Sequence, residues 1–246
     1  MVNQKKAKEA YELYLEKAKN DDRIIGVILA GGRGKGIATK NSDYDILFIT
    51  TDDGLNNVIK NYPGTEYVDS LPHAISDFRE YAKTGSATEW DKYSFTHISA
   101  VIDKTGEIQK LVEEKGSLMP DVAHKIARTA LGGYLNSVHR SLKHIRDGKS
   151  LAAQLDAAES ISNLLVFLFA VENRVCPFNK FLEWELKNYP LKNLPIKPSD
   201  FLKKILIIIK KSNPKIQKEI LEIVKKVAIE NGHSDEIKDW EGYYFG

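Results

Sequence analysis

Asp43 and Asp45 stand two residues apart at the head of an apolar run, Tyr44 to Thr51 (YDILFITT). Side chains two apart on an extended segment point to one face, so the two carboxylates are brought side by side, where they repel. A divalent cation removes that repulsion and gives the pairing a purpose. Ten residues separate Asp43 from Gly31-Gly32, which come directly after another apolar run, Ile24 to Ala30 (IIGVILA). Glycine lets the backbone approach a phosphate chain and aim N–H groups at it. Arg33 and Lys35 in the same loop carry the charge to neutralise phosphate oxygens, and Ser42, beside the carboxylates, has a hydroxyl to donate. A phosphate cradle within a few residues of a metal-binding carboxylate pair is what phosphoryl or nucleotidyl transfer needs. The loop is not of the Walker type, because no Gly-Lys-Ser/Thr closes it ahead of a helix. It is not a dinucleotide fingerprint either, because a strand follows. The competing reading is a polar hairpin loop with two exposed aspartates.

The elements that must position these groups follow from periodicity. Residues 3–20 set Ala7, Tyr11, Tyr14, Leu15 and Ala18 at helical spacing. The two apolar runs read as buried strands. Residues 55–61 and 76–83 read as helices, Glu66 to Ser70 as a third strand and Tyr93 to Ile102 as a fourth. Asp103-Lys104-Thr105-Gly106 reads as a turn and Glu107 to Lys115 as a short helix. Beyond residue 120 the pattern is helical only, over 121–147, 150–173, 178–187, 199–212 and 214–231, with prolines in the connections. The expectation is an α+β chain of two domains, a mixed β-sheet with flanking helices over 1–117 and a helical bundle over 118–246.

Composition narrows the partners. The 246 residues carry a formal net charge of +2, too little to argue for a nucleic-acid partner on field strength. One cysteine, Cys176, rules out an internal disulfide and reads as a small buried hydrophobe. The N-terminus lacks an apolar signal core, and the apolar stretch Phe201 to Ile209 is interrupted by lysines and short of a span. No membrane role and a cytoplasmic location are expected.

Ala30, Gly31, Gly32, Asp43 and Asp45 together resemble the signature of the DNA polymerase beta-like nucleotidyltransferase superfamily: an apolar residue, Gly, Gly or Ser, a spacer, then Asp-x-Asp. Many members carry Ser where Gly32 stands, and Gly removes a hydroxyl that could hold a phosphate. Softer likeness to bacterial and archaeal small-molecule nucleotidyltransferases, including those that modify aminoglycosides and lincosamides, runs through 101–116, 139–148 and 168–186. The resemblance spans roughly 24 to 186. It implies Mg2+ or Mn2+ held by Asp43 and Asp45, with ATP or another NTP as donor and Gly31, Gly32, Arg33, Lys35 and Ser42 around its phosphates. The product is a nucleoside monophosphate joined to a hydroxyl of a small-molecule acceptor. It also implies a lysine from the helical half reaching the nucleotide, for which Lys180 is the candidate, and pairing of helical halves into a homodimer, with the oligomeric state itself open.

The same resemblance implies a third carboxylate on a neighbouring strand. Asp69 is the first choice, Glu66 the second and Glu89 the third, while Asp103 is better explained by its turn. Two other functions stay open: an antitoxin-like transferase that adenylylates a partner protein, and a nucleotide-binding pseudoenzyme. Of the six histidines, none forms a His-x-x-x-His zinc pair with a companion glutamate. His97 reads as a strand histidine, Arg140 and His144 as part of a solvated basic face, and Trp90 and Trp184 as packing residues.

Overall fold

Two runs rich in β-branched residues, IIGVIL and YDILFIT, form β1 (Ile24–Leu29) and β2 (Tyr44–Thr50), paired antiparallel with Leu29 opposite Ile46. The computed structural model describes residues 3–245. The chain divides into two compact units, Met1–Ser117 and Leu118–Gly246, each with its own core. In the first unit β3 (Val68–Ala74) lies parallel to β2, and β4 (Ala100–Asp103) lies antiparallel to β1. The result is a mixed four-stranded sheet in the order β3-β2-β1-β4, and the fold is α+β.

Both faces of the sheet are covered, which is why β2 reads as continuously apolar rather than alternating. Ile46 and Phe48 pack beneath α1 (Gln4–Lys19) and α3 (Leu55–Asn61), and Leu47 and Ile49 beneath α4 (Ile75–Ala82) and α6 (Ile108–Lys115). Burying each such side chain contributes roughly 1.5–3 kcal/mol. Helix α1 starts where the Asn3 side chain accepts from the Lys6 N–H, and it buries Ala7, Tyr14 and Ala18 on the sheet. The one-turn α2 (Gly31–Gly34) follows β1 directly.

Two strand expectations are corrected. The third strand runs Val68–Ala74 rather than Glu66 to Ser70. Thr65 closes a turn by accepting from the Tyr67 and Val68 N–H groups, which delays the strand's start. Its edge position tolerates Pro72, which would cost a ladder bond in a central strand. The fourth strand is only Ala100–Asp103. Lys92–Phe95 is the helical turn α5, preceded by a 3-10 turn at Glu89–Asp91. Tyr93 and Phe95 are both buried, so two apolar residues in alternation looked like a strand, but the Tyr93 and Thr96 carbonyls are taken by the Lys35 ammonium instead of a ladder. His97, expected in that strand, is exposed with a left-handed φ of 60°.

The second unit is wholly helical: α7 (Pro120–Arg146), α8 (Ser150–Ala170), α9 (Leu182–Asn188) after a 3-10 turn at Asn179–Phe181, α10 (Pro198–Lys211), α11 (Pro214–Glu230) and α12 (Ser234–Lys238). α7, α10 and α11 each open on proline, whose fixed φ and missing N–H suit the first helical position. α7 and α8 form the central hairpin, joined by 147–149. Among the described residues α8 alone is long and apolar enough by composition to cross a membrane; half of its most apolar window is buried inside this unit. Trp90, expected in packing, is 74% exposed, whereas Trp184 packs edge-on against Tyr189.

The turn after β4 is held by Asp103. Its Oδ1 accepts from the N–H groups of Thr105 (3.2 Å) and Gly106 (2.8 Å), and its Oδ2 from Gln109 (3.0 Å) at the start of α6. Burial alone would raise the Asp103 pKa, but the backbone donors of Gln109, Gly106, Thr105 and Ile108 together hold it below the ordinary value. A depressed folded pKa means a contribution that is complete above the unfolded value, about 3.9, and is lost as pH falls through the folded one. Asp103→Ala should therefore lower stability by about 1 kcal/mol at neutral pH. Urea titrations should show the gap between wild type and variant closing in acid. A gap that stays constant there would mean that something other than the ionised carboxylate holds the turn.

Candidate functional site

The candidate site is built where β1 runs out. The Ala30 N–H donates to the Asp45 carbonyl (2.9 Å), extending the β1–β2 ladder to the second residue of β2. The chain then turns at Gly31, whose φ is +60°. A Cβ on Gly31 would lie 1.8 Å from Asp45 Oδ2, so only glycine fits between the turn and the carboxylate. Gly34 is nearly as confined, because a Cβ there would come within 2.1 Å of the Leu29 carbonyl oxygen. The loop is thus folded tightly back on the strand that precedes it. Gly32 is different. Its φ is not positive, and a Cβ would meet nothing closer than 3.7 Å, with Ser42 Oγ at 3.8 Å.

Asp45 is half-buried, and Asp43, just ahead of β2, is exposed. In the parallel β2–β3 pair Asp45 is in register with Asp69, so these two side chains leave the same face of the sheet from strands about 4.8 Å apart. Glu66 lies outside β3 and hydrogen-bonds its neighbour Tyr67, raising that phenol's pKa. Glu89 sits in the 3-10 turn, accepting from the Gly85 N–H (2.8 Å), with Lys92 Nζ at 3.6 Å. Of the three candidates for a third carboxylate, Asp69 is the one that the sheet sets beside Asp45. Among the described residues no group of three His, Cys, Asp or Glu side chains converges closely enough to form a metal-binding cluster.

The basic residues of the loop are engaged by the protein itself. Arg33 donates to the carbonyls of Asp43 and Ser42, and Lys35 is buried, with Nζ donating to the carbonyl of Tyr93 (2.9 Å) and to that of Thr96. The Lys35 ammonium also lies 4.5 Å from the Tyr93 ring centroid. Ser42 Oγ accepts from the Thr39 N–H (2.9 Å) and lies 3.3 Å from the Thr39 hydroxyl. Lys180 belongs to the second unit, where it is exposed with its ammonium 4.8 Å from the Phe181 ring centroid. A cavity of about 770 Å³ in the first unit lies at the far end of α1, by Lys17, Asn20, Asp22 and Tyr62, and takes in none of these residues.

Sequence reasoning missed three fastenings. Lys115 is fully buried and donates to the carbonyls of Tyr81 (2.9 Å) and Thr88 (2.8 Å) and to the Thr88 hydroxyl (2.7 Å); burial pushes its pKa down. Lys92, also buried, donates to the Ser117 carbonyl (3.2 Å). In the second unit Arg140 and His144 do not form a solvated basic face. Arg140 Nη2 lies 2.8 Å from Asp156 Oδ1, and His144 Nδ1 lies 2.9 Å from Oδ2 of the same carboxylate, which is buried. The signal was available: Asp156 falls on the stripe of Ala153, Ala157 and Ser160, which faces the core. Cys176 is less covered than expected, yet burial, with Glu185 nearby, still pushes its thiol up to about 12.

The chain matches no family model and no curated protein. The geometry therefore carries the reading, and the two glycines supply a direct test of it. Gly31→Ala should lower Tm by several degrees and disturb Asp45, because both the positive φ and the Asp45 carboxylate reject a methyl group. Gly32→Ala should leave the unfolding free energy within about 0.5 kcal/mol of wild type, the range for a substitution that meets no obstacle. Equal behaviour of the two variants in thermal melts would show that the loop is not built around the Gly31–Asp45 contact.

Proposed function

We propose that the protein is a metal-dependent nucleotidyltransferase of the DNA polymerase beta-like type. It moves a nucleoside monophosphate, AMP from ATP, onto a hydroxyl of a small-molecule acceptor and releases pyrophosphate. The observation that carries this reading is the seating of Gly31 against Asp45 while Asp69 stands in register with Asp45 on the adjoining strand. The close approach holds the backbone of the glycine turn directly against the Asp45 carboxylate, so loop and carboxylate are neighbours. Asp45 and Asp69 on one sheet face, with Asp43 just ahead of β2, suit a hard cation with oxygen ligands.

Asp43 and Asp45 are the residues that would hold Mg2+ or Mn2+, which when bound neutralises the carboxylates and the phosphates and stabilises charge on the departing pyrophosphate. The Gly31–Gly32 backbone and the Ser42 hydroxyl border the phosphates. Asp69 accepts the proton of the acceptor hydroxyl as its oxygen attacks the α-phosphorus. The bond from the α-phosphorus to the bridging oxygen breaks, and the electron pair leaves with pyrophosphate. Lys180, on the second unit, is a further candidate for the phosphates by resemblance alone.

The test is a pyrophosphate-release screen with ATP, Mg2+ or Mn2+, and a library of hydroxyl acceptors that includes aminoglycosides and lincosamides. Asp43→Asn and Asp45→Asn should each abolish release with unchanged melting behaviour. Asp69→Asn should cut turnover by about 10²-fold or more, the scale for losing a general base, while leaving nucleotide binding in place. Turnover near wild type in either of the first two variants would sink the metal assignment. Calorimetric ATP binding by wild type without release on any acceptor would favour a pseudoenzyme, and label transfer to a co-purified protein would favour a protein acceptor.

A further inference from the structure

Arg33 joins the glycine-rich loop to the segment that carries Asp43 and to the first turn of α1. Its Nε donates to the Asp43 carbonyl (2.8 Å), and its Nη2 donates to the Ser42 carbonyl (2.8 Å) and to Oε1 of Gln4. The guanidinium carbon lies 3.8 Å from the Tyr44 ring centroid. Gln4 closes the arrangement, with Nε2 donating to the carbonyls of Lys40 (3.1 Å) and Ser42 (3.2 Å). Tyr11 of α1 stacks on Tyr44, with centroids 4.4 Å apart and planes within 14°.

Asp43 precedes the first residue of β2, so the sheet ladder does not fix it. Backbone carbonyls outside a ladder need donors from side chains or water, and here one planar guanidinium serves two consecutive carbonyls while stacking on the next residue's ring. We propose that Arg33 and Gln4 form a clamp that positions Asp43, and that Arg33 is a positioning residue rather than a phosphate ligand. The inference rests on the reading that Asp43 and Asp45 hold the metal ion. A guanidinium is suited to this task because its donors lie in one rigid plane, whereas a lysine ammonium is a point charge that cannot span the same acceptors and stack. The clamp also makes α1 part of the site: the helix end that bears Gln4 sets where the carboxylate pair begins.

The experiment uses the full chain as wild type, Arg33→Lys, Arg33→Ala, Gln4→Ala and Asp45→Asn. Mn2+ is titrated by electron paramagnetic resonance, first alone and then with a non-hydrolysable ATP analogue. Amide hydrogen exchange over residues 40–45 is followed in parallel, and circular dichroism checks folding. Arg33→Lys should weaken Mn2+ binding without nucleotide by about 10-fold or more, the scale for removing a group that orients a metal ligand. Gln4→Ala should act in the same direction more weakly, and amides 40–45 should exchange faster in both. Wild-type Mn2+ affinity in Arg33→Lys would overturn the clamp, as would a defect that appears only with the nucleotide analogue, which would make Arg33 a phosphate ligand. If wild type itself binds no Mn2+ and matches Asp45→Asn, the nucleotidyl-transfer reading fails. The clamp is then decided by exchange alone, and unchanged protection in Arg33→Lys overturns it.

Discussion

Where β1 ends, the backbone of Gly31 passes so near the Asp45 carboxylate that no side chain fits between them, and much of the first unit follows from keeping that approach. The antiparallel ladder must run on to Ala30 and Asp45, which fixes the register of β1 against β2. A slip of one residue would turn Asp45 toward α1 and bring Ile46 to the loop. The burial of Ile46 and Phe48 on one face and of Leu47 and Ile49 on the other makes such a slip costly. Hydrophobic packing on both faces of β2 is thus what holds a polar, partly exposed carboxylate in place.

The segment from Tyr81 to Ser117 is fastened differently. It has few ladder bonds, and its carbonyls are gathered by ammonium groups: Lys35 on Tyr93 and Thr96, Lys115 on Tyr81 and Thr88, and Lys92 on Ser117. An ammonium buried among carbonyls keeps its charge only when its donors are used. These lysines spend their hydrogen bonds on the backbone, and Lys35 ties the glycine-rich loop to this segment. The Asp43 end of the same loop is tied to α1 through Arg33 and Gln4. A short loop is therefore braced from two sides by two of its own basic residues.

Those residues mark where sequence reading stopped. The strand–glycine–strand arrangement was legible because it is local: two apolar runs and the two glycines between them already dictate strand and turn. The strand-bearing first half and the helical second half were legible from periodicity, and the Asp103 turn from its own residue types. What Arg33 and Lys35 face was not legible because charge type does not say it: Arg33 faces carbonyls at the far end of its own loop and Lys35 those of a distant segment. Tyr93 and Phe95 alternate as a strand would, but four residues of alternation do not distinguish a strand from a turn that buries both rings. The convergence of Arg140 and His144 on Asp156 required knowing that α7 and α8 pack as a hairpin. Register was beyond reach as well, since the pairing of Asp45 with Asp69 depends on where β3 starts, and Thr65 sets that.

The buried lysines also alter what the molecule presents to its surroundings. Acidic residues outnumber basic ones in Met1–Ser117, and the reverse holds in Leu118–Gly246, so the small net charge of the chain is the sum of two opposed halves. Lys35, Lys92 and Lys115 are interior, so the outer surface of the first unit is more negative than its composition suggests, while burial of Asp156 and Glu185 makes that of the second more positive. Charges exposed on either unit act through solvent only within the screening length, about 8 Å at physiological salt. The charge that each unit shows to solvent is thus set by which side chains the fold buries, not by composition alone.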